Sequence, residues 1–98
     1  MNAKKIKCVI WDLDNTIWEG TLLEDNEVVL KPEINKIIKR FDNLGILQSI
    51  ASKNIYEHAM KKLKQFELDH YFIYPKIGFI NKSDMITQLI EELNISED

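Results

Sequence analysis

Two carboxylates stand two positions apart, directly after the first apolar run of the chain. Asp12 and Asp14 follow the run 6–11, and Thr16 comes two residues after the second carboxylate. A pair of this kind is most often found in a solvated turn. At the end of a buried strand, however, neighbouring like charges are unfavourable unless a cation or a proton lies between them. We therefore expect Asp12 and Asp14 to share a pocket with a cation or a proton.

Two further candidate positions follow the second and third predicted strands. Ser52 ends the second strand and Asn54 opens the helix behind it. A hydroxyl beside the free N–H groups of a helix N-terminus can bind an anion. Lys82 stands at the start of the third helix. Taken singly, Ser52 is typical of a helix cap and Lys82 of a solvent-exposed lysine. Together with the acidic pair they lie on one rim of the predicted sheet, which indicates an anion-binding pocket.

Strands and a flap must position these residues. Short apolar runs rich in β-branched and aromatic residues predict the strands, and a stretch without helical periodicity, about 17–31, predicts a small flap. The predicted main strands are 6–11, 46–51 and 71–74, and the flap has short extended pieces at 21–23 and 28–30.

Three helices are predicted between and after the strands. The first begins at Pro32 and stops at Gly45, the second spans 56–66, and the third carries apolar residues over 85–93. The alternation of strands and helices predicts an α/β domain with a parallel sheet. In such sheets, ligands bind beyond the carboxyl ends of the strands, where the candidate residues lie.

Composition limits the classes of function. The 98 residues predict a single domain, 1–98, and the net charge of −3 argues against nucleic acid or a membrane surface as partner. The first apolar run is too short for a signal peptide or a membrane span. One cysteine cannot form an internal disulfide, so we expect a soluble, cytoplasmic protein. Cys8 is expected in the core, and His58 and His70 are expected to be structural.

The motifs around the candidate residues resemble those of the haloacid dehalogenase (HAD) superfamily. Its first motif is an apolar strand followed by DxDxT, and residues 9–16 read VIWDLDNT. Its second, a strand ending in Ser or Thr, is similar to ILQSIAS with Ser52, and its third, a lysine at a helix start, is similar to Lys82. The segments WDLDNTIWEG, ASKN and YFIYPKIGFINKSDMI resemble the FkbH-like subgroup more narrowly. The resemblance covers about 7–95 and implies a Rossmann-like core with a small flap and no large cap.

The resemblance implies an Mg²⁺-dependent reaction through an aspartyl-phosphate. Asp12 would be the nucleophile and Asp14 the general acid and base; both would hold Mg²⁺, Asp12 by its carboxylate and Asp14 by its backbone carbonyl. Ser52, Asn54 and Lys82 would bind the phosphate. The implied substrate is a phosphorylated small molecule. In the FkbH-like subgroup it is a bisphosphorylated glycerate, from which a glyceryl unit is loaded on an acyl carrier protein in polyketide biosynthesis.

The chain departs from the family pattern at the fourth motif, the acidic end of a fourth strand that completes the Mg²⁺ site. Glu97 and Asp98 follow the third helix with no apolar strand before them, so they come too early to supply it. In the family that strand lies beside the first, so 6–11 is expected to be an edge strand. We expect a piece of a longer protein, a short form with weakened metal binding, or a domain completed by a homodimer or a strand-donating partner.

Three interpretations of function follow from these observations. The leading one is a HAD-type hydrolase, an Mg²⁺-dependent phosphatase or phosphotransferase. The alternative is a catalytically impaired phosphate-binding or protein-interaction module derived from a HAD domain. The third is a receiver-type α/β domain with its own phosphorylated aspartate. The DxDxT spacing and the flap disfavour the third, because the acidic pair of a receiver precedes its phosphorylated aspartate by a whole strand.

Overall fold

A computed structural model of the chain describes residues 8–25 and 27–93. Strands and helices alternate along it, which confirms the predicted α/β class. Its strands are β1 Cys8–Trp11, β2 Trp18–Glu19, β3 Val29–Leu30, β4 Leu47–Lys53 and β5 Lys76–Gly78. Its helices are α1 Pro32–Asn43, α2 Tyr56–Gln65 and α3 Lys82–Leu93, with a short 3-10 helix at Asp69–Tyr71.

Strand β4 forms the middle of the main sheet, whose order is β1-β4-β5. Both pairings are parallel, as predicted: Trp11 lies opposite Ile50, and Lys53 lies opposite Gly78. Helices α1 and α3 contact β4, and α2 and α3 contact β5. Because the strands are parallel, their carboxyl ends meet at one edge of the sheet, and the candidate residues follow those ends.

The predicted helices and the second main strand are confirmed, with small shifts at their ends. Helix α1 begins at Pro32, whose fixed φ suits the first helical position, and Gly45 follows its end with a φ of +77°. Strand β4 runs two residues past its predicted end, through Ser52 to Lys53, because both residues pair with β5. Positions 6 and 7 of the predicted first strand lie outside the described residues.

The prediction of a strand at 71–74 is wrong. Tyr71 ends the 3-10 helix, Phe72 is buried in the core, and β5 begins only at Lys76. Tyr74 has a φ of +47°, a left-handed conformation that interrupts an extended chain. The apolar run therefore packs into the core, and the strand that pairs with β4 follows the turn.

The flap also differs from its prediction. Residues 21–23, predicted as extended, belong to a turn in which the carbonyl of Thr21 accepts hydrogen bonds from the N–H groups of Glu24 and Asp25. The antiparallel partner of β3 is instead β2, which Trp18 anchors in the core with no exposed surface. The extended piece predicted at 28–30 is confirmed as β3.

The core lies between the main sheet and its helices and continues under the flap. Members with no exposed surface include Leu13, Ile17, Trp18, Ile38, Ile50, Ala59, Leu63 and Leu68. Strand β1 is only half-buried, and among the described residues it pairs with β4 alone, as expected of an edge strand. Of the helices that the structure describes, none has the length and apolar character to cross a membrane.

Candidate active site

The Asp12 carboxylate lies directly beyond β1 and is held from two sides. Its Oδ1 accepts a hydrogen bond from the Leu13 N–H at 2.8 Å, and its Oδ2 lies 2.9 Å from Lys82 Nζ. Asn81 fixes the start of α3, where Lys82 stands, because its Oδ1 accepts a bond from the Asp84 N–H at 2.9 Å. The side chains of Asp12 and Lys82 remain 41% and 47% exposed. A ligand can therefore reach the carboxylate while the lysine offsets its charge.

Three hydrogen-bond donors hold the Asp14 carboxylate. Its Oδ1 accepts bonds from Trp18 Nε1 at 2.9 Å and from the Leu22 N–H at 3.0 Å. Its Oδ2 accepts a bond from Asn54 Nδ2 at 3.1 Å. Trp18 and Leu22 belong to the flap, whereas Asn54 follows β4. The carboxylate thus connects the flap to the sheet, and donors on both oxygens fix its orientation.

The turn after Asp12 brings the flap back to the acidic pair. The Leu13 carbonyl accepts bonds from the N–H groups of Thr16 and Ile17 at 3.1 and 2.9 Å. Asn15 has a φ of +58°, a conformation that Asn tolerates better than most residues, and its Oδ1 accepts a bond from the Gly20 N–H at 2.9 Å. The DxDxT segment therefore folds as a tight turn that places Asp14 against Trp18.

Ser52 and Asn54 both lie at the carboxyl end of β4 and are buried. Ser52 is 1% exposed and lines the cavity beside the two carboxylates. Asn54 has no exposed surface and lies behind Asp14 instead of lining the cavity. This burial does not favour the predicted contact between the Asn54 side chain and a phosphate.

One cavity of about 370 Å³ brings the other predicted residues together. Asp12, Asp14, Ser52 and Lys82 line it. Lys53 lines it as well and was missed from the sequence, although its place directly after Ser52 could have identified it. The Lys82 ammonium group and the Ser52 hydroxyl beside the carboxylates suit a phosphate-sized anion.

Other reactive side chains lie away from this cavity. Cys8 begins β1 at the end remote from Asp12, and burial raises the pKa of its thiol, which makes it a weak nucleophile at neutral pH. His58 is exposed on α2, and His70 is exposed in the 3-10 helix. Glu97 and Asp98 lie outside the described residues, so their predicted absence from the metal site stays a prediction.

The cavity offers oxygen donors for a hard cation. Within 8–25 and 27–93, His, Cys, Asp and Glu side chains form no group of three or more that could hold a metal ion. Mg²⁺ needs fewer protein ligands, because it keeps several waters and is commonly bound by one or two carboxylates and a substrate phosphate. The pair Asp12 and Asp14 fits that donor set.

No protein-family model matches the chain. The chain is similar to magnesium-dependent phosphatase 1 of Homo sapiens, with 29% identity over 94 residues, covering 76% of this chain and 53% of that protein. It therefore spans about half the length of this curated relative.

Solved structures share the fold. The N-terminal part of the protein BF1531 from Bacteroides fragilis, described as containing a phosphatase domain complexed with Mg, has a TM-score of 0.72 and 29% identity, covering 95% of this chain and 29% of that chain. An uncharacterized protein from Listeria monocytogenes serotype 4b has a TM-score of 0.76 and 20% identity, covering 94% of this chain and 63% of that chain. These matches confirm the predicted HAD-like core, and the FkbH-like subgroup stays a prediction.

Proposed function

We propose that the chain carries the catalytic core of an Mg²⁺-dependent HAD-type phosphatase that acts through an aspartyl-phosphate on Asp12. The observation that carries the proposal is the 2.9 Å contact between Asp12 Oδ2 and Lys82 Nζ, in a cavity that Asp14 and Ser52 also line. Similarity to a human magnesium-dependent phosphatase and to a bacterial phosphatase domain supports it.

In the first proposed step, the Asp12 carboxylate attacks the phosphorus of a phosphate monoester. A bond forms between a carboxylate oxygen and phosphorus while the bond from phosphorus to the leaving oxygen breaks. Asp14 gives its proton to the leaving oxygen. Lys82 offsets the charge on the phosphoryl oxygens, and the Ser52 hydroxyl donates a hydrogen bond to one of them.

In the second proposed step, water hydrolyses the aspartyl-phosphate. Asp14 accepts a proton from the water as the water oxygen attacks phosphorus, and the bond between phosphorus and Asp12 breaks. Inorganic phosphate leaves, the Asp12 carboxylate is restored, and Asp14 is again protonated. The donors on both Asp14 oxygens hold the carboxyl group in place for the two proton transfers.

The proposed cofactor is Mg²⁺. Asp12 would hold it through its carboxylate and Asp14 through its backbone carbonyl, as the family resemblance implies. When bound, the ion offsets negative charge on the phosphoryl group.

Hydrolysis of p-nitrophenyl phosphate, with Mg²⁺ and after chelation by EDTA, tests the proposal. We expect Mg²⁺-dependent phosphate release from the wild-type chain and none above background from Asp12→Asn. Asp84→Asn removes an exposed carboxylate that does not line the cavity, and it should keep the wild-type rate. Hydrolysis that needs neither Mg²⁺ nor Asp12 would contradict the proposal.

The alternative is a module that binds phosphate without hydrolysing it. It is favoured by the absence of a third metal-ligating side chain from the cavity in the part of the chain that the structure describes. Calorimetry that detects phosphate binding, with no turnover of any phosphate ester, would support this alternative over the phosphatase.

A narrower assignment rests on the FkbH-like motifs alone. It proposes that the substrate is a bisphosphorylated glycerate and that a glyceryl unit is loaded on an acyl carrier protein. Mass spectrometry of the carrier protein after incubation with substrate and Mg²⁺ tests it. Phosphate release without a glyceryl adduct would exclude this narrower function and leave the phosphatase intact.

A further inference from the structure

The amide of Asn54 lies between two groups of the proposed active site. The side chain has no exposed surface, and its Nδ2 lies 3.1 Å from Asp14 Oδ2 and 3.5 Å from Ser52 Oγ. Its backbone is also fixed, because its N–H donates to the Gly78 carbonyl of β5 at 3.2 Å. A single rigid side chain thus connects the proposed acid to the proposed phosphate-binding hydroxyl.

The other end of this amide contributes nothing to the fold. Asn54 Oδ1 is buried, and no donor in the described residues forms a hydrogen bond with it. A buried acceptor without a partner destabilises the folded state, so an apolar side chain of similar size should be tolerated at this position.

A second buried amide shows the contrast. Gln48 is 1% exposed, and both ends of its amide are paired: Nε2 donates to the Ile38 carbonyl at 2.9 Å, and Oε1 accepts a bond from Trp11 Nε1 at 2.9 Å. Gln48 therefore forms hydrogen bonds with two groups of the core, whereas Asn54 donates to one oxygen of a half-buried carboxylate. The Gln48 amide thus stabilises the core, whereas the Asn54 amide contacts the candidate active site.

We propose that Asn54 is a positioning residue that sets the orientation of the Asp14 carboxylate toward the cavity. The proposal rests on the proposed phosphatase function. Trp18 and Leu22 both donate to Oδ1, so they fix the position of that oxygen. They leave the carboxylate free to rotate about Oδ1. Asn54 donates to Oδ2 and prevents this rotation. Proton transfer depends on the orientation of the Asp14 carboxylate, because misplacing a catalytic group by about 1 Å can slow a reaction about 100-fold.

Asn54→Leu tests the proposal, with Gln48→Met as the matched control. The readouts are kcat and KM with Mg²⁺ on an alkyl phosphate, whose leaving oxygen needs a proton from Asp14, the Tm, and the indole N–H resonance of Trp18 in a ¹H–¹⁵N spectrum. For Asn54→Leu we expect kcat to fall about 10- to 100-fold with KM nearly unchanged. The Tm should stay the same or rise. The Trp18 resonance should shift, because its acceptor on Asp14 moves.

Gln48→Met should behave in the opposite way. It removes the hydrogen bonds that Gln48 makes with Trp11 Nε1 and the Ile38 carbonyl, so the Tm should fall while kcat and the Trp18 resonance stay near wild type. If Asn54→Leu fails to fold, Asn54→Ala removes the donor without adding bulk or charge, and it should show the same loss of kcat.

Two results would overturn the positioning role. One is a kcat for Asn54→Leu, or for Asn54→Ala if that variant is needed, that equals the wild-type value. The other is a Trp18 resonance that does not move. A wild-type chain without activity would defeat the proposed function instead, and the Trp18 resonance would still decide whether Asn54 orients Asp14.

Discussion

The ion pair between Asp12 and Lys82 contributes more to the proposed chemistry than to stability. Both side chains are close to half-exposed, and exposed ion pairs typically stabilise a fold by less than about 1 kcal/mol. Lys76 and Glu92 form a comparable pair at 2.7 Å, but Lys76 stands at the start of β5, away from the cavity. Comparing substitutions in the two ion pairs therefore distinguishes the effect of losing a lysine on catalysis from its effect on stability.

Lys82→Ala should lower kcat/KM about 100- to 1,000-fold, because it removes the cation beside Asp12, the proposed nucleophile. The free energy of unfolding should change by less than about 1 kcal/mol. Kinetics on p-nitrophenyl phosphate and urea denaturation measure the two effects. Lys76→Ala is the control and should keep the wild-type kcat/KM; an equal loss in both variants would show that Lys82 has no special role.

Asp14→Asn should lower kcat about 10²- to 10⁴-fold on an alkyl phosphate, whose leaving oxygen needs a proton. An aryl phosphate has a better leaving group, so its first step should suffer less and phosphorylated enzyme should accumulate. Rapid-quench kinetics on the two substrates measure the difference. Equal rates for Asp14→Asn and wild type on the alkyl phosphate would exclude Asp14 as the general acid.

Sequence patterns could predict the residues that follow strand ends. Asp12, Asp14, Ser52 and Lys82 were all placed on one rim of the sheet, and the structure brings them to one cavity. The sequence could not predict that Asn54 would turn its amide onto Asp14, because that contact joins residues 40 positions apart. Nor could it predict the Trp18 contact, which depends on how the flap folds back.

At the scale of elements, the flap is held to Asp14 by short turns whose geometry only some residues permit. Gly20 has a φ of +97°, and a Cβ at that position would lie 2.9 Å from Asp25 Oδ2. That carboxylate oxygen also accepts the Thr21 N–H at 2.8 Å, so it cannot move away without losing a bond. Gly45 has a comparable φ of +77°, but a Cβ there would meet nothing within 4 Å.

Gly20→Ala should therefore destabilise the chain more than Gly45→Ala. Each substitution places an alanine in a left-handed conformation, at about 1–2 kcal/mol, and Gly20→Ala adds the clash with Asp25. Urea denaturation of both variants measures the difference, and hydrogen exchange of the Leu22 N–H reports whether the flap loosens. Equal stability of the two variants would mean that the flap turn relaxes without loss.

The wrong strand at 71–74 has a physical cause at this scale. Periodicity shows that Phe72 is buried, but it does not show whether the backbone around it is extended. The left-handed conformation of Tyr74 interrupts the extended backbone. A bulky residue with a positive φ is too rare to be expected from a sequence. The three helices are predictable from their apolar spacing, and for α1 the terminal Pro32 and Gly45 agree with that spacing.

In the molecule as a whole, β1 forms one edge of the main sheet among the described residues. The strand is half-buried and, among the described residues, pairs only with β4. An unpaired edge with apolar side chains is a template for another strand, from a second copy or from a partner. The Asp12 carboxylate lies directly beyond this strand, so stability and metal binding should depend on the same edge.

A fourth strand with an acidic end, appended to the chain, should raise the Tm and tighten Mg²⁺ binding together. With the two protein ligands that the described residues supply, we expect Mg²⁺ affinity on the order of millimolar, because the ion keeps most of its waters. The same strand with its acidic residue replaced by Asn should raise the Tm alone. Calorimetry and thermal melts measure both effects. No gain in Tm from either strand would show that the edge of β1 is already protected.

The proposed phosphorylation of Asp12 can be tested by mass spectrometry of the acid-quenched chain after incubation with Mg²⁺ and a phosphate ester. We expect a phosphoryl adduct on the peptide that contains Asp12, sensitive to hydroxylamine as an acyl phosphate is, and absent from Asp12→Asn. Asp14→Asn should increase its amount on an aryl phosphate, because hydrolysis of the adduct slows. Turnover by Asp12→Asn at the wild-type rate, or an adduct on another residue, would show that Asp12 is not the nucleophile.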